Sequence, residues 1–103
     1  MEPASDRPLL LFFTSERSGP GRRMESLLAH LARKERARLR VSRVDVERAP
    51  ELASRLGVNV VPSLVLLAGG RALARLEGRA SAPRIERMLA PYLTQGEGAV
   101  EAA

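Results

Sequence analysis

Cysteine is absent from this chain of 103 residues, and that absence decides more of its chemistry than any residue present. Without a thiol there is no disulfide, no thiolate metal site and no sulfur nucleophile, and cysteine usage reports no redox compartment. The fold must therefore stand on its core alone, burying about 65% of the surface that the unfolded chain exposes. Tryptophan is also missing, and the aromatic residues are confined to Phe12, Phe13 and Tyr92. Two of these sit in an apolar run that reads as core, which leaves few rings to stack on nucleic-acid bases. His30 is the single histidine, so a metal site or a nucleophile–histidine pair within the chain has no residues to draw on. Neither a metal nor a cofactor is expected. The apolar run Leu9-Leu10-Leu11-Phe12-Phe13 falls far short of the roughly 20 residues that cross a bilayer. It follows Glu2, Asp6 and Arg7 with no small-residue cleavage site behind it, so it reads as neither a span nor a signal peptide. The expectation is a cytoplasmic monomer with no membrane partner.

Positive charge is what the chain has in excess. Its 17 basic residues outweigh 12 acidic ones for a net +5, and Lys34 is the only lysine among them. The arginines run along the whole sequence from Arg7 to Arg87, which reads as solvated surface. A nucleic-acid-binding surface through residues 33–43 is the lesser alternative.

Along the chain, residues 1–8 read as a flexible leader, 9–93 as one domain and 94–103 as a disordered tail without periodicity. Pro8 opens a strand over 9–14, apolar at consecutive positions as a strand covered on both faces requires. Ser18 is placed to cap a helix with Pro20 in its first turn. Met24, Leu27, Leu28 and Leu31 then form one apolar stripe, carrying the helix to about residue 36. His30 falls on its flank. A second strand over 40–46 carries Val41, Val44 and Val46, and a short joint to the first implies a parallel pair. Pro50 starts a short helix that Gly57 ends. Residues 63–68 and 72–77 read as strands joined by Gly69-Gly70, a hairpin signal that forces them antiparallel. Ile85, Met88, Leu89 and Tyr92 give a last helical stripe, with Pro91 expected to kink or end it. The order is β-α-β-α-β-β-α: an α/β domain with a four-stranded mixed sheet and helices on both faces.

Within this frame the stretch Phe-Thr-Ser-Glu-Arg-Ser-Gly-Pro-Gly-Arg, residues 13–22, resembles the thioredoxin active-site segment, where a strand ends and Trp-Cys-Gly-Pro-Cys-Lys opens a helix. Val44-Asp45-Val46 before Pro50, Gly57-Val58, Val61-Pro62-Ser63-Leu64, Gly70 and Gly78 resemble further landmarks of that family at consistent spacing. The likeness covers about residues 9–93 and implies a thioredoxin-like fold. The family's first strand and helix have no counterpart in the residues before Leu9. By the same likeness, Ser18 and Gly21 stand at the two cysteine positions around an intact Gly19-Pro20. Arg17 stands for the flanking tryptophan, Arg22 for the lysine and Phe12 for the buried acid. The resemblance also implies a cis Val61-Pro62 bond facing the helix tip.

Dithiol exchange needs one thiolate to attack and a second thiol to resolve the mixed disulfide. Ser18 and Gly21 supply neither, so no intrinsic thiol–disulfide activity is expected, and the chain reads as a non-catalytic module. It is expected to bind an unidentified protein or peptide through the loop 18–21 and the loop of Val61, Pro62 and Ser63, as a short added strand. A glutathione-dependent enzyme using Ser18 is the alternative. Arg22 and Arg23, in the first turn of the helix, are candidate contacts for a phosphate or carboxylate. Asp45 is expected to cap its local turn. A cysteine pair introduced at 18 and 21 is expected to close a disulfide readily.

Overall fold

The computed structural model describes residues 7–102, the side chains of Pro20 and of 94–102 excepted. The leader expected over 1–8 thus lies, for residues 1–6, outside the described residues. Seven elements follow in the expected order: β1 (Leu9–Thr14), α1 (Gly19–Lys34), β2 (Arg40–Asp45), α2 (Pro50–Arg55), β3 (Ser63–Ala68), β4 (Arg71–Glu77) and α3 (Ala82–Ala102).

The strands form one sheet in the order β2-β1-β3-β4. β1 pairs parallel with β2 and antiparallel with β3, and β3 pairs antiparallel with β4. The consecutive apolar residues of β1 now have their reason. Side chains alternate across a strand, so Leu10 and Phe12 enter the core beneath α1 and α3, while Leu11 and Phe13 enter a second core beneath α2. All four are buried. Met24, Leu28 and Leu31 close the first core from α1, and Ile85, Leu89 and Leu93 close it from α3. The β3–β4 hairpin turns on Gly69 and Gly70 at φ of 60° and 77°, the left-handed pair that a two-residue joint requires.

Four boundaries differ from expectation, and two of them, the end of β2 at Asp45 and the start of β4 at Arg71, by a single residue. α1 stops at Lys34, where Arg33 and Lys34 meet the negative end of the helix dipole. More substantially, α3 neither ends at Pro91 nor gives way to a tail: its backbone is helical to Ala102. Pro91 removes one N–H donor, and Gly96 and Gly98 each cost about 1 kcal/mol of helix propensity. A helix already nucleated by its buried stripe lengthens one bond at a time without repeating the nucleation cost. Among the described residues no helix is long and apolar enough to cross a membrane.

Candidate functional site

Strand directions bring the loops of interest to one end of the sheet. β1 and β2 both run toward it, and β3 starts from it, because Phe13 pairs with Ser63. The chain leaving β1 therefore passes beside Pro62. β4 returns to the same end, where Glu77 pairs with Ser63 and the next N–H, from Gly78, donates to the Pro62 carbonyl at 2.7 Å.

Ser18 caps α1 as the sequence predicts. It has extended backbone angles (φ −88°, ψ 108°), and its Oγ accepts the Gly21 N–H at 2.9 Å. The preceding turn is held by Ser15, whose carbonyl accepts the Ser18 N–H at 3.0 Å and whose Oγ accepts the Arg17 N–H at 3.1 Å. Gly19 and Pro20 occupy the first helical turn. The Arg17 guanidinium lies 3.8 Å from Glu47 and is almost wholly exposed, so the pair adds little. Arg22 and Arg23 are exposed on the first turn of α1.

Gly21 is buried, and its missing side chain matters. A Cβ there would overlap Thr14 Oγ1 and come within 3.0 Å of Ser18 Oγ. Thr14 ends β1 fully buried, and its hydroxyl makes only a long 3.5 Å contact with the Ser15 carbonyl. The hydroxyl thus fills the space that a side chain at 21 would take. This corrects the expectation of a ready disulfide, since a cysteine at 21 fits only if Thr14 gives way, and a buried β-branched residue has little room to do so. The sequence carries no signal for this contact, because nothing local couples the last residue of a strand to a helix residue seven positions on.

The second loop holds a cis Val61-Pro62 bond, as the resemblance implied. Ser63, buried, donates its hydroxyl to the Val60 carbonyl at 2.6 Å, and Pro62 is occupied by Gly78. Between them Val61 is left over. Among the described residues its N–H and C=O make no hydrogen bond. Next to it Val60 is 43% exposed, the one large apolar side chain so exposed among the described residues. Sequence reading did not single out Val60.

The remaining candidates fall into place. The Asp45 carboxylate accepts the Glu47 N–H at 2.8 Å and so caps its turn. His30 is exposed on the flank of α1, lining a groove with Leu27, Ile85 and Glu86. Among the described residues no three His, Asp or Glu side chains come together as a metal site would need.

Known proteins resemble this chain over most of its length. The Thioredoxin family model matches residues 2–91. A thioredoxin of Alicyclobacillus acidocaldarius is 32% identical over 88 residues, spanning 85% of this chain and 84% of that protein. Thioredoxin-1 of Drosophila melanogaster is 36% identical over 78 residues, 76% of this chain and 73% of its own length. Among solved structures, the germline-specific thioredoxin Deadhead of Drosophila melanogaster superposes with a TM-score of 0.80 at 33% identity, covering 86% of this chain and 85% of that one. A mutant thioredoxin of Halobacterium salinarum gives 0.78 at 30% identity, over 87% of this chain and 79% of that one. With a matching sheet, a capped helix tip beside a cis-proline loop and a family model spanning nearly the whole domain, this cysteine-free chain belongs to the thioredoxin family.

Proposed function

We propose that this protein is a thioredoxin-family binding module without dithiol chemistry, which takes up an extended segment of a partner protein between the loop 18–21 and the loop of Val61, Pro62 and Ser63. One observation carries the reading. Val61 offers an N–H and a C=O that no described residue uses, just before the start of β3 and beside the exposed Val60. A backbone donor and acceptor on one residue are what a short added strand pairs with, and an adjacent apolar side chain gives the segment something to bury. Ser18 and Gly21 stand where the family resemblance puts its cysteines, and neither carries sulfur. Exchange through a thiolate is therefore closed to this chain acting alone. The glutathione-dependent alternative gains no support from Ser18, whose hydroxyl oxygen accepts the Gly21 N–H as a helix cap.

Two measurements test this. Purified protein should show no turnover in an insulin-reduction assay, and measurable turnover would end the reading. Titration with reduced, carboxymethylated insulin B chain, an unfolded probe, should move the amide resonances of Val60, Val61 and Gly19 ahead of those on the opposite end of the sheet. Shifts confined elsewhere, or none at millimolar probe, would remove the binding site.

A further inference from the structure

The arginines that lie far apart in the sequence do not lie far apart in the fold. At the end of the sheet opposite Ser18 and Pro62, the last turn of α1 carries Arg33, the connection to β2 carries Arg36 and Arg38, and β2 opens with Arg40. Leu9 pairs with Arg40, so the chain entering β1 arrives at the same place, and there Arg7 donates to the Arg36 carbonyl at 2.6 Å. Leu9 also pairs with Leu67, so the β3–β4 hairpin turns here too, and Arg71, paired with Ala68, opens β4 at this same end. With strands about 4.8 Å apart, Arg40 and Arg71 stand on the two edge strands about 14 Å from each other.

Among the described side chains, little on this pole neutralises them. Glu35 is taken by Arg38 at 2.6 Å, and Glu86 by Lys34 at 3.3 Å. Arg33, Arg36, Arg40 and Arg71 are exposed and make no ion pair among the described residues. Basic residues at the end of α1 answer its dipole, but Arg7, Arg40 and Arg71 belong to no helix end. Guanidinium groups rather than ammonium groups favour bidentate pairing with phosphate.

We propose that this pole binds the phosphate backbone of a double-stranded nucleic acid. The proposal goes beyond the binding reading above and uses the other end of the molecule. What the surface lacks selects this partner. Phe12 and Phe13 are buried and Tyr92 packs part-buried against the core beneath α1 and α3, so these rings offer a poor platform for unstacked single-strand bases. Val60, the exposed apolar side chain, lies at the opposite end, so among the described residues nothing here would insert into a lipid surface. Phosphate contacts alone are independent of base sequence and strongly salt-dependent.

The test is fluorescence anisotropy with a 20-base-pair DNA duplex. Four phosphate contacts predict a loss of affinity on the order of 100-fold between 50 and 200 mM salt. Arg36→Gln with Arg40→Gln should weaken binding by tens of fold at 100 mM salt and flatten the salt slope by about two. Arg79→Gln with Arg84→Gln removes the same charge from exposed positions near the other end and should change affinity by less than about threefold. No duplex binding at 50 mM salt overturns the proposal. So does an equal loss in both double variants, which would mean attraction to net charge alone. Tighter binding to the single-stranded 20-mer, or to phosphatidylglycerol vesicles, overturns it as well. Circular dichroism of both double variants establishes that each is folded before the comparison is read.

Discussion

The two faces of the sheet are built unequally. One lies under α1 and α3, whose stripes bury Leu28, Leu31, Ile85 and Leu89 against Leu64 and Leu66. The other lies under α2, six residues long, which contributes a single buried side chain, Ala53, and leaves Leu52 and Leu56 partly buried. A helix that short has no independent stability. It persists because Pro50 starts it, the Ala53 carbonyl accepts the Val58 N–H at 2.8 Å beyond its end, and the Arg75 guanidinium, reaching over from β4, donates to the Leu56 and Gly57 carbonyls. The thick face thus carries the global stability. The thin face is the part that opens at lower free energy, as lightly packed segments do. Its exit, residues 57–61, leads straight to Val61. The loop proposed to accept a partner is attached to the least anchored helix of the domain.

The sharpest way to break this comparison is a matched pair of truncations. Leu64→Ala, in the thick core, should cost about 3 kcal/mol. Leu52→Ala, on the thin face, should cost about 1 kcal/mol, because that side chain is only partly buried. Urea midpoints at unchanged m-value read both. Equal losses would mean that α2 is as firmly packed as α1.

A second contrast lies between the two small residues at the tip of α1. Gly21→Ala drives a methyl into the Thr14 hydroxyl and should destabilise by about 2 kcal/mol. In a Thr14→Ala background the same change should cost less than half as much, a coupling of about 1 kcal/mol in a double-mutant cycle. Correspondingly, Ser18→Cys with Gly21→Cys should stay largely reduced under mild oxidation, and adding Thr14→Ala should let the pair close. If the double variant oxidises fully on its own, Thr14 does not guard the site. Ser18→Ala removes only the cap and should cost about 1 kcal/mol, with Ser18→Gly costing a few tenths.

How much of this was legible in the sequence follows from how local each signal is. The strands and their order were, because period, proline and glycine punctuation act over a few residues. The hairpin glycines and the Ser18 cap fell where turn and cap chemistry demanded. The helical backbone of 94–102 was not, because a segment without periodicity gives no sign that a preceding helix will propagate into it. The Thr14–Gly21 contact and the Arg75 reach are tertiary, joining residues on different elements with no pattern between them. The arginines were visible from Arg7 to Arg87, and those of residues 33–43 as one basic stretch. That Arg7 and Arg71 join this stretch at one pole follows only from strand direction, which pairing settles and composition does not.

The smallest expected effect is the most pointed test of the unequal faces. Arg75 is substantially exposed, 3.8 Å from Glu77 and bonded to two carbonyls at the end of α2. Were α2 part of the cooperative core, Arg75→Ala would lower global stability by an amount fitting charged hydrogen bonds, about 1.5 kcal/mol or more. If α2 already opens ahead of the rest, removing its clamp acts on a local equilibrium alone. Global stability should then fall by less than about 0.5 kcal/mol, within the range of ordinary surface changes. Hydrogen exchange at Val58 and Gly57, whose N–H groups close the end of α2, should instead accelerate several-fold while Leu28 and Leu66 keep their protection. A parallel loss of protection in both regions would make the two faces one unit, and the loop beside Val61 would lose its claim to a separate motion.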